Sequence, residues 1–493
     1  MSAFGFALLL IAARIFLGSF AEFSGAQDLS YFDESQYLNA GITVGVTHLS
    51  PQWAPPYCVW FKLLYRLSGD AIVAYHLNAY ILALALPAMW YLLCVSLGIA
   101  PWWALATALA WLVSAANLET LRVGVFATCI AFGGLIASRM AKRPALGWWL
   151  AVTALWVAAS VRLELIPAAA IVVALGAWQL RSAAWIVAAL LPNIALDLTF
   201  GWPFGAGRSG AAFQQHLAGN ILEWHQLPFE NWIHYEDLIR KYYALPTSAL
   251  DFAIHEPLAF LHHVASNGWR LVTQSIVHAL TPATLWWLAI PLAVATVAGL
   301  VMKLRRPRGA LVIGPSSVTL MACAAMVLIS CLVIYPREHY LPLLISSLLL
   351  GIAPAGLGKS GIATIAMLML AAVVAMAPTY PQSRAGSPRP EQETVEALRT
   401  RDPAQSLRLF DDSGVLQVYL RDARRFGPRD LQPPFETFLR DRGINVVVIS
   451  PKLPKDPLLR DDESWHRFES APESFGFACD MVGQTDRRLC VRN

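Results

Sequence analysis

AIVAYHLNAYILALALPAMWYLLCVSL, residues 71–97, runs without an Asp, Glu, Lys or Arg. A bilayer core about 30 Å thick demands roughly 20 apolar residues to cross as a helix, because every backbone amide must find its partner inside the segment. The stretch meets that demand and reads as a membrane span. Working outward from it, further apolar runs stand near residues 3–23, 102–117, 121–139, 146–161, 164–180, 183–200, 281–302, 310–334, 339–357 and 361–379. The expectation is an α-helical polytopic membrane protein of about eleven spans. Residues 3–23 lack a basic n-region and a small-residue cleavage site, so they read as a first span rather than a cleaved leader.

Composition agrees. Of 493 residues, 56% are hydrophobic and 14% charged, where soluble domains carry about 25% charged residues. The charges are also segregated, with 36 of the 70 in residues 381–493. This predicts a transmembrane body, residues 1–380, followed by a water-soluble domain, residues 381–493. Within the latter, SLRLFDDS (406–413), INVVVISP (444–451) and RLCVRN (488–493) read as strands. EQETVEALRTR (391–401) and PPFETFLRDRG (433–443) read as helices, which makes a small C-terminal α/β extramembrane domain. The net charge of +4 is spread over many short loops and points to no nucleic-acid partner.

Orientation follows from the cations of the short loops. With the N-terminus cytoplasmic, Arg139, Lys142, Arg143, Arg181, Lys303, Arg305, Arg306, Arg308 and Lys359 all fall inside. The loops 24–70 and 201–280 and the whole tail then face outward, into the periplasm if the host is a Gram-negative bacterium. Both loops mix aromatic and aliphatic residues in ways suited to interfacial helices that roof a cavity. Cys58, Cys94, Cys129, Cys323 and Cys331 lie in or beside apolar runs and read as core residues. Cys479 and Cys490 are free to pair if the tail is exported to an oxidising space.

Candidate chemistry gathers on the predicted outer face. YFDESQYLNAG (31–41) places Asp33 and Glu34 just beyond the first span. Adjacent carboxylates diverge, so the pair suits one base and one supporting acceptor, unless the acids merely favour a helix start. Glu119 and Arg122 occupy one short outer loop, Arg162 and Glu164 an outer turn, and Arg337, His339 and Tyr340 the opening of a late span. Ionisable residues at membrane depth mark cavities by default, while an ion pair across the turn is the plainer reading of Arg162 with Glu164. Arg337 with His339 suits a phosphate or pyrophosphate. His216, His225, His234, His255, His262 and His263 form no metal-binding spacing and are expected at the surface. No phosphate-binding glycine loop, dinucleotide fingerprint or nucleophile elbow occurs.

FDESQYLNAG (32–41), SPQWAPPYCVWFKLLYRLSGD (50–70) and REHYLPLL (337–344) together resemble bacterial GT-C membrane glycosyltransferases of the protein-mannosyltransferase and aminoarabinose-transferase type. The resemblance implies a GT-C-like body that transfers a sugar from a polyprenyl-phosphate carrier to an acceptor hydroxyl on a glycan, lipid or protein. It implies that Asp33 is the general base and Glu34 its catalytic neighbour. Where that family usually has a histidine before paired prolines, this chain has Gln52 and Trp53, with His48 out of register. Carrier and substrate binding would fall to Arg337, His339, Tyr340, Arg162, Glu164, Glu119 and Arg122. No cofactor is required by this reading, and a divalent metal is left open. The expected location is the bacterial inner membrane.

Two other classes also suit a polytopic chain with an outer domain. A transporter or flippase would place its polar residues near mid-bilayer and show repeated halves. A non-catalytic assembly protein for envelope polysaccharide would use the tail as its binding module. Here the polar residues cluster at outer span ends and no repeat is evident.

Overall fold

The computed structural model describes every residue except 1, 30–31, 45–48, 120, 204–207, 281–314, 352–366, 368, 372, 375–388 and 401–405. Among the described residues, six helices are long and apolar enough to cross a membrane. They are Ala71–Ser96 (α5), Arg122–Met140 (α8), Pro144–Val161 (α9), Leu163–Leu180, whose regular α-helical part is Ile166–Leu180 (α10), Ala183–Phe200 (α11) and Pro315–Val333. The chain is therefore a multi-pass membrane protein in its body. The expected spans at 281–302 and most of 361–379 fall outside the described residues. Pro101–Val113 (α6) is apolar but shorter.

The first apolar run is long and apolar enough for one span but is broken within it. It forms Ser2–Leu17 (α1) and Phe20–Ala26 (α2), bent by 47°. The cause is local: the Ser19 hydroxyl accepts the Glu22 amide at 3.1 Å while the Glu22 carboxylate accepts the Ser19 amide. This reciprocal capping box starts a new helix where hydropathy alone shows no break.

Outside the spans, Phe32–Ile42 (α3) and Pro55–Ser68 (α4) fill the first loop. Gly69 ends α4 at φ +70° and Asp70 caps α5, its carboxylate accepting the Ile72 and Val73 amides at 2.8 and 2.9 Å. The Gly-Asp pair is thus a helix-stop and helix-start device. A short helix, Ala115–Leu118 (α7), joins α6 to α8. The second loop folds as Arg208–Trp224 (α12), Tyr235–Tyr242 (α13), Ala249–His255 (α14) and Pro257–Arg270 (α15), with a π-helical turn at Leu271–Ser275 leading into Ile276–Leu280 (α16). Its inner faces pack Phe213, Leu217, Ile221, Ile239 and Phe252, while Leu250, Ile254, Leu258 and Trp269 are exposed. That outward apolar face suits a helix pair lying on lipid.

The helices of the body pack around buried Trp90, Trp103, Trp111 and Trp148. Lipid tails are as apolar as the side chains, so close packing and polar contacts between helices carry the association. Trp90 donates to the Thr107 hydroxyl at 2.8 Å and Asn117 to the Ala83 carbonyl at 3.0 Å. All five unpaired cysteines are buried.

The tail holds a five-stranded sheet in the order β2-β1-β3-β5-β4. Arg408–Phe410 (β1), Arg424–Phe426 (β2) and Val446–Ile449 (β3) run parallel, whereas Arg488–Arg492 (β5) is antiparallel to both β3 and Phe477–Met481 (β4). Helices Phe435–Arg442 and Glu463–Ser470 bring Phe435, Phe438, Trp465 and Phe468 onto Phe410 and Phe477 on one face. Helix Pro390–Thr400 brings Val395 and Leu398 onto Val446 and Leu489 on the other. Cys479 and Cys490 face each other across β4 and β5 and form a disulfide.

The tail is docked on the body at two places. At the first, the Asp28 carboxylate accepts the Glu391 amide at 2.9 Å and the Tyr419 hydroxyl at 3.2 Å, and Arg389 donates to the Gly25 carbonyl at 3.2 Å. At the second, His234 meets the buried Asp456 carboxylate at 3.2 Å and Arg429 lies over the Tyr235 ring at 5.2 Å. The sheet domain is therefore held over both of the loops 24–70 and 201–280.

Candidate active site

The first turn of α3 carries both acids, where the helix N-terminus favours negative charge. Their surroundings differ. Glu34 is 1% exposed, and its carboxylate accepts the Tyr57 hydroxyl, the Asn78 amide at 3.0 Å and the backbone N–H of Arg122 at 3.1 Å. Asn78 also donates to the Tyr57 oxygen at 2.6 Å and accepts Trp60 Nε1 at 2.9 Å. Burial pushes the Glu34 carboxyl up to about 7, with the nearby Asp33 charge adding to the rise and the Tyr57 and Arg122 hydrogen bonds opposing it. Asp33 is only half-buried, and its charge is felt by Tyr340 as well as by Glu34.

A second cluster stands where Tyr340 does. Arg162 pairs with Glu164, Nε to carboxylate at 2.6 Å, and its guanidinium lies over the Tyr340 ring at 4.3 Å. The plainer reading of the Arg162 and Glu164 pair is therefore what forms, and the pair is also part of a larger group. His339 packs on Tyr340 at 4.1 Å between ring centroids and His216 at 6.3 Å. Burial, then the charges of Arg337 and Arg162, push His216 down to about 3. Burial and the same two arginines hold His339 well below its ordinary value. Burial disfavours the charged form of both imidazoles, whereas the arginines carry fixed positive charge here. The Arg337 guanidinium has no hydrogen-bond or ion-pair partner among the described residues.

The two clusters touch through Gly124. A Cβ at that position would stand 1.9 Å from the His339 carbonyl oxygen, so only glycine lets the first turn of α8 press against the turn at 338–340. Arg122, which begins α8, is 4% exposed; its Nη2 donates to the Leu118 carbonyl at 2.7 Å. Its Nη1 has no partner among the described residues.

Two cavities open beside these groups. One of about 680 Å³ lies between body and tail and takes in Glu34, Asn78, Glu119 and Arg122. The other, of about 500 Å³, takes in His216, Glu223, Trp232, Tyr335 and Arg337. Asp33, Arg162, Glu164, His339 and Tyr340 line neither of the two. Among the described residues no three His, Cys, Asp or Glu side chains converge as a metal-binding group.

No family model matches this chain. No curated protein matches it either. Among solved structures, the crystal structure of ArnT from Cupriavidus metallidurans bound to undecaprenyl phosphate is similar to this chain at 15% identity, covering 99% of this chain and 97% of that one, with a TM-score of 0.43.

Several residues of the site carried no obvious signal in the sequence. Tyr57 sits in an aromatic-rich amphipathic helix, and Asn78 is a lone amide in an apolar run; a polar residue inside a span was the available clue for Asn78. The histidines correct the surface expectation in part. His225, His255 and His262 are exposed, whereas His216 and His263 are buried. His263 shares a polar core with Asn220 at 2.8 Å and Asn267 at 3.1 Å and reaches the Val333 carbonyl at 2.8 Å. Amphipathic spacing could not distinguish a histidine facing water from one facing this core. His48 lies outside the described residues, while Gln52 is buried and Trp53 packs on Tyr37 at 5.7 Å.

Proposed function

We propose that the protein is a membrane glycosyltransferase that moves a sugar from a polyprenyl-phosphate carrier to an acceptor hydroxyl at the outer face of the membrane. One observation carries the reading. The Glu34 carboxylate of α3 meets the start of α8, α8 presses through Gly124 on the 338–340 turn, and there the Arg162 guanidinium lies over Tyr340, although the sequence scatters these groups from residue 34 to residue 340. The resemblance of residues 32–70 and 337–344 to GT-C enzymes supports the same conclusion.

The chemistry follows from the charges. The acceptor oxygen attacks the anomeric carbon while Asp33 takes the hydroxyl proton, and the bond from that carbon to the carrier phosphate oxygen breaks. The carrier phosphate leaves with the electron pair, and Arg337, assisted by Arg162, stabilises the added negative charge. Glu34, held by Tyr57, Asn78 and the Arg122 amide, keeps α3 in register and ties it to α8. His339, Tyr340 and Glu164 position Arg162. Glu119 and Arg122 belong to the acceptor side.

The cation bias of the short loops supports an N-terminus in the cytoplasm, and the tail disulfide supports an oxidising compartment for residues 381–493. The bacterial inner membrane with a periplasmic tail satisfies both. The test is mass analysis of lipid-linked sugars and surface glycans in cells lacking the protein. One polyprenyl-phosphate sugar should accumulate and one glycan substituent should vanish, whereas unchanged glycans would contradict the proposal.

A further inference from the structure

The second loop builds a polar cluster beside Arg337. Arg270, the last residue of α15 and almost wholly buried, donates through Nη1 to the Asn220 side-chain oxygen at 2.9 Å. Its Nη2 pairs with the Glu223 carboxylate of α12, and its guanidinium lies over the Tyr335 ring at 4.0 Å. Glu223 also accepts the Tyr335 hydroxyl at 3.1 Å. Glu223, Tyr335 and Arg337 line the same cavity of about 500 Å³. Burial raises the Tyr335 hydroxyl above its ordinary range, and the charges of Arg270, Glu223 and Arg337 then act on it, so all three stand around one side chain.

The backbone that leads to Arg337 is pinned separately. Asn267 donates to the Leu332 carbonyl at 3.0 Å, His263 reaches the Val333 carbonyl at 2.8 Å, and the Ser275 hydroxyl donates to the Pro336 carbonyl at 3.1 Å. The first two cap carbonyls that the end of the span Pro315–Val333 would leave unpaired. None of the three contacts uses Glu223 or the Arg270 guanidinium.

A carboxylate that shares a cavity with an arginine competes with phosphate for it, because the same planar fork of donors fits both. The Glu223 side chain is 50% exposed and so can turn once its partners are removed. In the folded chain Arg270 and Tyr335 hold it, and the Arg337 guanidinium has no partner among the described residues.

We infer that Arg270 is a positioning residue that holds Glu223 and neutralises its charge, and so keeps the Arg337 guanidinium open to the phosphate of the carrier. The inference rests on the glycosyl-transfer reading above. It assigns a role in carrier binding to an ion pair that lies outside the reacting groups.

The test titrates undecaprenyl phosphate against the full-length chain in nanodiscs. Arg270→Gln should weaken binding at least tenfold, because Glu223 is released onto Arg337. Adding Glu223→Gln to that variant should restore binding to within threefold of the parent, although the cluster then has still fewer contacts. Glu223→Gln alone should bind at least as tightly as the parent. A purely structural Arg270 gives the opposite pattern, in which the double variant binds no better than the single one, and that result overturns the inference. Binding by Arg270→Gln within twofold of the parent overturns it as well. Should Arg270→Gln fail to fold, Arg270→Lys takes its place: it keeps the charge with a poorer fit, so binding should weaken at least twofold and recover with Glu223→Gln, and a loss without recovery, or no loss, overturns the inference. A response to Arg337→Gln without this rescue defeats the inference alone. No response to Arg337→Gln defeats the carrier-phosphate reading on which it rests.

Discussion

The carboxylate of Glu34 accepts the backbone N–H of Arg122 at 3.1 Å, joining the first turn of α3 to the first turn of α8 across 88 residues of sequence. Each helix start presents its unpaired amides and positive dipole end outward. A buried carboxylate placed between them satisfies one of those amides and fixes the distance between the two helix starts.

That arrangement predicts a pH signature. The Glu34 carboxyl is raised to about 7 from an ordinary value of 4.5, chiefly by burial. Between those values the folded protein binds more protons than the unfolded chain, so stability is greatest below about pH 4.5 and declines through about pH 7. The decline from this one group is at most about 3 kcal/mol. Glu34→Gln cannot ionise, so the gap in unfolding temperature between parent and variant should shift steadily in the variant's favour from pH 5 to pH 7.5. A gap that is constant with pH would show that Glu34 does not titrate in this window.

Gly124 offers a steric test. Gly124→Ala puts a methyl group into the His339 carbonyl, and overpacking of this kind costs about 1–3 kcal/mol or moves the turn at 338–340. Sugar transfer should drop by at least tenfold. Gly133→Ala on the same helix meets only the flexible end of Met89, and should leave transfer within twofold. Equal behaviour of the two variants would remove the argument for a close approach at Gly124.

Asp28 tests the docking of the tail. Asp28→Ala strands the Glu391 amide, at a cost of about 1–3 kcal/mol for a buried donor left without a partner, and removes the acceptor of the half-buried Tyr419 hydroxyl. Amide hydrogen exchange in residues 390–400 and 416–419 should rise at least tenfold, while that of β3 stays near the parent level. Unchanged exchange in both helices would mean that the contact contributes nothing.

These tests fall on features that differ in how far the sequence announces them. Helices such as α5, α8 and α9 are legible because a bilayer forces long uncharged runs. The break between α1 and α2 is not, since Gly18 and Ser19 interrupt the backbone without interrupting hydropathy. In the tail, β1, β3 and β5 are read from their aliphatic runs. β2 is only Arg-Arg-Phe and β4 is a largely exposed edge strand, so both depend on pairing with a neighbour that the local sequence does not reveal. At the site, the acids and arginines stood out by charge. Their assembly did not, because Tyr57, Asn78 and Arg122 reach Glu34 from 23, 44 and 88 residues away.

Arg337 tests the assignment of the carrier phosphate. Arg337→Gln removes a guanidinium that has no other partner among the described residues, so binding of undecaprenyl phosphate should weaken at least tenfold. Arg337→Lys should lose less, because it keeps the charge and gives up only the planar fork of donors. Titration of the purified chain in nanodiscs measures both. Undiminished binding by the glutamine variant would take the phosphate away from this residue.

The central claim is that Asp33 takes the acceptor proton during sugar transfer. The most direct measurement is the rate at which cells or membranes carrying Asp33→Asn form the glycan product, compared with the parent at equal protein abundance and with the tail disulfide intact. Loss of a general base predicts a fall of about 10²–10⁴-fold. Transfer within a few-fold of the parent would contradict the account.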